Sequence, residues 1–163
     1  MVLEASILIN KDIHAAWQVL GRDFANAHKW ASAVNHSEGF GTSFNGATCS
    51  ERGCSTTMGG IKEKLISFSE EQHMLSYVVS EGMPSIIQYA SNTWQLTETG
   101  KNNTRLQITI DIRPKNIIGK LMTPLLKMKF TSIGNDLLHD FKSYVETGKP
   151  SAKKLKAISK KSY

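Results

Sequence analysis

Apolar and polar residues alternate through the middle of this chain, and the period lengthens near its end. The clearest alternation covers 104–113. Leu106, Ile108, Ile110 and Ile112 take every second position, with Arg105, Gln107, Thr109, Asp111 and Arg113 between them. A period of two turns one set to a core and the other to water, the pattern of an antiparallel strand. Stretches 61–68, 73–80 and 86–97 also read as strands, separated by turns at 69–72, 81–84 and 98–103. Earlier, 3–9 predicts a first strand. Asn10 or Asp12 then opens a short helix through Ile13, Trp17 and Leu20 that stops at Gly21, and 24–30 forms a second helical piece. Trp17, Phe24 and Trp30 are expected as its buried anchors. Strands at 34–40 and 47–54 flank a turn at 41–46, and 56–60 is the next turn.

From Asn116 to Thr147 the period becomes helical. Asn116 can cap a first turn carrying Ile117, Ile118, Leu121 and Met122. Thr123-Pro124 interrupts it, because proline lacks the amide donor and crowds the preceding turn, so the helix kinks or restarts with Thr123 as cap. Leu125, Met128, Ile133, Leu137, Phe141 and Tyr144 then recur every three or four residues until Gly148 and Pro150 end the helix. The order of elements is strand, two small helices, six strands, long helix. Short turns imply an antiparallel meander, and the whole predicts an α+β fold. A curved antiparallel β-sheet of about seven strands wraps the C-terminal helix, with the two short helices between strands 1 and 2. A curved sheet cannot lie flush on a straight cylinder, which leaves room for a cavity.

Composition changes this picture in two ways. The chain has 163 residues, enough for one domain that buries roughly 70% of its unfolded surface. The net charge of +6 suggests nucleic acid until it is located. Lys149, Lys153, Lys154, Lys156, Lys160 and Lys161 all fall at the end of the chain, where there is no acid, and without them the body carries 14 basic and 14 acidic residues. The sequence therefore divides into a neutral domain, 1–148, and a basic tail, 149–163, expected to be disordered. The tail is a candidate for weak contact with an anionic membrane surface, and no specific nucleic-acid partner is expected. No apolar run approaches a membrane span, and no basic segment precedes the apolar start, so the expected location is cytoplasmic. Cys49 and Cys54 lie five apart, on opposite sides of one strand, and neither a disulfide nor a metal site is expected. No cofactor fingerprint is present either.

The order of elements, with several short strings, resembles the START-like or helix-grip superfamily (SRPBCC), of polyketide cyclase/dehydrase type and birch-pollen-allergen-like fold. The strings are Ala15-Ala16-Trp17, Trp30, Ile61-Lys62-Glu63-Lys64-Leu65, Ser76-Tyr77, Gly82-Met83-Pro84 and the helix end at 138–146. The resemblance implies a cavity between sheet and helix, with Glu63 as a cavity-facing carboxylate. Tyr77 and Val79 would face inward from the next strand, and Tyr89 and Ser91 from the one after. Parity adds Leu65 and Leu75, and the inward set of 104–113 adds Leu106, Ile108 and Ile110. Arg52, eleven residues before Glu63 across a turn, would pair with it if both point inward, either as a ligand anchor or as a bridge holding the hairpin. Met122, Leu125 and Met128 are the expected helix contribution, methionine adapting its shape to apolar ligands. Trp94 has the opposite parity from Tyr89 and Ser91, so it either covers the outer face or marks a shifted register. Loop 81–85 is a candidate gate.

The expected function is binding or transport of a small hydrophobic ligand, a lipid, isoprenoid or polyketide-like compound. One alternative is a polyketide cyclase/aromatase-type enzyme, for which Arg52, Glu63 and Tyr77 are the one nominable acid–base set. The other is an interaction module that uses the lysine tail on membrane or RNA.

Overall fold

A computed structural model of the chain describes residues 1–160. Its strands are β1 (Val2–Ile9), β2 (Val34–Phe40), β3 (Glu51–Thr56), β4 (Gly59–Ser69), β5 (Met74–Glu81), β6 (Ile87–Gly100) and β7 (Asn103–Pro114). They form one curved antiparallel sheet in the order β1–β7–β6–β5–β4–β3–β2, so every neighbour but β1–β7 is a sequential hairpin. The long β6–β7 ladder sets the phase of the inner face. Trp94 lies opposite Ile108, Leu96 opposite Leu106, Asn92 opposite Ile110 and Ala90 opposite Ile112. β5 and β6 behave differently. They pair only from Met74 opposite Gln95 to Val78 opposite Ser91. Beyond that point β5 stays with β4 and β6 with β7, and the sheet forks.

Between β1 and β2 the chain makes α1 (Ile13–Trp17), capped by the Asp12 carboxylate, which accepts from the Ala15 amide at 2.9 Å. The helix widens into one π turn over Gln18–Arg22 and then a 3-10 segment, Phe24–Lys29. Trp17 packs back over that turn, and its ring leaves no room for a Cβ at Gly21. The indole nitrogen donates to Glu70 at 2.7 Å, and the ring meets Phe68 at 5.1 Å.

The terminal helix is divided where Thr123-Pro124 predicts. α2 (Ile117–Leu121) is capped by Asn116, and α3 (Thr123–Thr147) restarts with Met122 rather than Thr123 at the cap position. α3 ends at Gly148, whose φ of 70° is the left-handed conformation that glycine adopts without strain. Its sheet-facing residues are Leu126, Gly134, Leu138, Phe141 and Val145. Phe141 stands edge-on to Trp30 at 5.1 Å, which ties helix, short helices and sheet into one core. Among the described residues no helix is long and apolar enough to cross a membrane.

Two expectations are corrected. β3 begins at Glu51, not at 47, because Phe44 and Ala47 exchange backbone hydrogen bonds in a tight turn that keeps the following residues out of the ladder. The described part of the basic tail is ordered. Ala152–Ser159 forms α4, capped by Ser151, whose hydroxyl accepts from the Lys154 amide at 3.1 Å and donates to buried Asp140. Lys154 is itself buried, its ammonium donating to the Val34 carbonyl at 2.6 Å, and Lys153 pairs with Asp136. A composition argument treats every lysine as solvated, yet a lysine stem buries readily when the ammonium finds an acceptor. The end of the expected tail, 161–163, lies outside the described residues.

Candidate functional site

A cavity of about 450 Å³ lies between the inner face of the sheet, the 3-10 segment and α3. Its size suits a small molecule. The wall is largely apolar, built from Leu20, Phe24, Trp30, Leu75, Val79, Ile87, Trp94, Ile110, Phe130, Ile133 and Leu137. The lining residues Met58, Gly82, Pro84 and Lys129 are exposed, so the cavity meets solvent between the β3–β4 turn, the β5–β6 loop and α3. Gly82 has a φ of 85°, and a Cβ there would run into the Gly60 carbonyl, so the loop rests directly on the hairpin beside it.

Two polar groupings interrupt the apolar wall. The first is Arg52 with Glu63, only 7% and 5% exposed and directly opposite in the β3–β4 register. Glu63 Oε2 accepts from Arg52 Nε at 2.7 Å and lies 2.6 Å from Nη2, while Nη1 donates to the Phe24 carbonyl at 2.7 Å. The guanidinium lies over the Phe24 ring at 4.2 Å and the Tyr77 ring at 5.3 Å. Burial works against the Arg52 charge, and the adjoining carboxylate more than offsets it, so the guanidinium is held above its usual range. The same Glu63 oxygen is 3.5 Å from the Cys54 thiol. Burial first, and then that carboxylate, push the thiol up to about 12. It is no thiolate nucleophile at neutral pH.

The second grouping is Tyr77 with Asn92, opposite each other on β5 and β6. The Asn92 amide nitrogen donates to the Tyr77 hydroxyl at 3.1 Å. Asn92 Oδ1 is buried and has no hydrogen-bond partner among the described residues. Burial, with Glu63 next, holds the Tyr77 hydroxyl above its usual range, so it stays protonated as a neutral donor. Tyr77 and Asn92 both line the cavity, so a donor and an unmatched acceptor stand side by side just behind its surface. Leaving the acceptor unmatched costs about 1–3 kcal/mol.

Of the residues expected at the site, Arg52, Glu63, Leu75, Tyr77, Val79, Ser91 and Ile110 line this cavity. Leu65, Leu106 and Ile108 are buried on the same side but belong to the core outside it. Tyr89 points away, its ring under the Arg113 guanidinium at 4.5 Å, because Ala90, Asn92 and Trp94 carry the inward phase of β6. Trp94 lines the cavity, which resolves its parity as a one-residue register shift. The helix contribution is corrected likewise. Met122 is half-buried outside the cavity, and Leu125 and Met128 are exposed. Apolar residues occupy both sides of α3 near Pro124, and the face that turns inward is the one through Leu126, Phe130, Ile133 and Leu137. His36 stands on the outside of the cavity, exposed and stacked on His28 at 5.5 Å. Among the described residues no cluster of His, Cys, Asp and Glu could hold a metal ion.

Residues 2–146 match the model of the family described as polyketide cyclase/dehydrase and lipid transport. Among curated proteins none matches the sequence. Several solved structures share the fold. The Zhui aromatase/cyclase from Streptomyces sp. R1128 is 12% identical, with 93% of this chain and 99% of that one covered and a TM-score of 0.71. A START superfamily protein from Mycobacterium smegmatis is 11% identical over 87% and 97% of the two chains, with a TM-score of 0.68. A norcoclaurine synthase point mutant from Thalictrum flavum, in complex with a transition-state analogue, is 17% identical over 89% and 93%, with a TM-score of 0.67. At these identities the likeness shows the fold alone.

Proposed function

The chain belongs to the polyketide cyclase/dehydrase and lipid transport family, within the START-like helix-grip superfamily, and on that premise we propose that it binds and carries a small hydrophobic molecule bearing a hydroxyl group. The observation that carries this reading is the Tyr77–Asn92 pair in an otherwise greasy wall. One ligand hydroxyl can accept from the Tyr77 O–H and donate to Asn92 Oδ1, which completes both groups at once. A ring or chain of carbon around that hydroxyl fills the remaining cavity.

The enzyme reading is weaker on the same residues. General acid–base catalysis needs groups that exchange protons near neutrality. Glu63 is engaged by Arg52, and Tyr77 and the Cys54 thiol are pushed upward by burial.

Fluorescence titration with hydroxypyrene and its parent pyrene tests the reading. Saturable binding of both is expected, with hydroxypyrene about fivefold tighter, the worth of one net hydrogen bond. Tyr77→Phe with Asn92→Leu should erase that preference and keep pyrene binding. No saturable binding of either probe overturns the carrier reading. Equal affinity for the two overturns the hydroxyl anchor.

A further inference from the structure

Two of the three residues expected to fill the cavity from the helix side, Leu125 and Met128, instead belong to an unpartnered stripe on the outside. Ile117 (77% exposed), Ile118 (61%), Leu121 (77%), Leu125 (51%) and Met128 (66%) recur every three or four positions from α2 into α3. Single exposed apolar residues are ordinary, but a continuous row of aliphatic side chains marks a contact surface. Two observations locate and characterise it. Gly119 packs α2 against the Ile86 carbonyl at the end of the β5–β6 loop, and Lys129, the residue after Met128, lines the cavity. The stripe therefore borders the cavity mouth. Lys115, Lys120, Lys127 and Lys129 are all exposed along it, and from Lys115 to Asn135 the sequence has no acidic residue.

We propose that this stripe is a docking surface for an anionic lipid bilayer, which the protein grips with the mouth of its cavity facing the lipid. Aliphatic side chains enter the acyl boundary while lysine ammonium groups stay among anionic headgroups, the arrangement of interfacial helices. A bilayer accepts a convex row of side chains without a matching groove. A second copy of this chain fits poorly, because a two-fold contact would set the lysine border against itself. An acidic protein would satisfy the charge, but the row is aliphatic with a lysine border, lacking the aromatic and arginine anchors that dominate protein interfaces, where lysine is depleted. The docking stands apart from the ligand reading above, since it requires lipid headgroups and not an occupant of the cavity.

Flotation of the full chain with vesicles of phosphatidylcholine alone, or mixed about 3:1 with phosphatidylserine, tests it. Binding is expected to the mixed vesicles only, and to fall as salt rises. Leu121→Asp with Leu125→Asp should abolish it while leaving the far-ultraviolet dichroism and pyrene binding unchanged, since both side chains are exposed. Lys120→Gln with Lys127→Gln should weaken partitioning about twenty-five-fold, near fivefold for each charge. The proposal is overturned by failure to bind mixed vesicles, or by binding that survives both pairs. It is also overturned if Lys156→Gln with Lys160→Gln on the C-terminal helix removes the binding instead. Sedimentation that reveals a dimer dissolved by Leu121→Asp would assign the stripe to a second copy, and capture of an acidic protein in preference to vesicles would assign it there.

Discussion

Replacing Glu63 by leucine removes one half of a buried ion pair and leaves the other in place. Arg52 would keep the Phe24 carbonyl and two aromatic faces but no counter-charge, at 7% exposure. Breaking such a pair from one side costs about 3–5 kcal/mol. Whole domains are stable by only about 5–15 kcal/mol, so the single substitution should remove roughly a fifth or more of the total. Arg52→Met should cost a similar amount, since Glu63 would retain only the Cys54 thiol at 3.5 Å. The double variant Arg52→Met/Glu63→Leu leaves no unmatched charge and should recover to within about 1–2 kcal/mol of the parent, or exceed it. Urea unfolding followed by tryptophan fluorescence and by far-ultraviolet dichroism, with coincident transitions, measures all four corners of the cycle. The double variant should also still bind pyrene saturably and no more weakly than the parent, because two apolar side chains replace two charges on the cavity wall. Single variants that cost less than about 1 kcal/mol, as exposed pairs do, would refute this account. So would a double variant as unstable as either single one.

Three further outcomes are expected. Asp140→Ala should lower stability by about 2–3 kcal/mol and open the 149–152 segment to limited proteolysis, because the carboxylate accepts from the Ser32 amide at 2.8 Å and from the Ser151 hydroxyl; Asp140→Asn should lose less. Gly21→Ala should cost about 1–3 kcal/mol in thermal or urea unfolding, since the methyl group meets the Trp17 ring, which Glu70 and Phe68 hold in place. Burial, and then His36 and Lys154, hold His28 below its ordinary value of 6.5, so the folded protein takes up this proton less readily than the unfolded chain. Its stabilising contribution is complete above 6.5 and is lost as pH falls through the lowered folded value; melting temperatures across that range should drop, and His28→Asn should flatten the drop.

How legible these features were depends on how many residues carry each pattern. β7 repeats Leu106, Ile108, Ile110 and Ile112 on one face, and no other phase is possible. The Arg52–Glu63 pair was legible too, because two opposite charges eleven residues apart across one turn fall opposite in a hairpin. β6 was not. Tyr89 and Thr93 on one face look as suitable for a cavity as Ala90 and Asn92 on the other, Ser91 reaches the cavity despite sharing the phase of Tyr89, and only Trp94 marks the true phase. α3 misled for a related reason. Leu125 and Leu126, like Met128 and Phe130, offer apolar side chains to both sides, and the choice between them belongs to the sheet. The order of 149–160 rests on Lys154 and Asp140, two charged residues whose burial depends on partners more than a hundred residues away in sequence or on a serine cap.

The fork between β5 and β6 sets how a molecule could enter and leave. From Val79 onward β5 is held by β4 alone, and from Ala90 back to Ile87 β6 is held by β7 alone. Spreading the two apart at that end breaks no hydrogen bond of any ladder. What joins the two strands at that end is the 82–86 loop, where Met83 lines the cavity and the Ile87 amide donates to the Pro84 carbonyl. Residence time in the cavity is therefore decoupled from the lifetime of the folded state. A variant that unfolds a thousand times sooner, far from the fork, should release bound pyrene no faster.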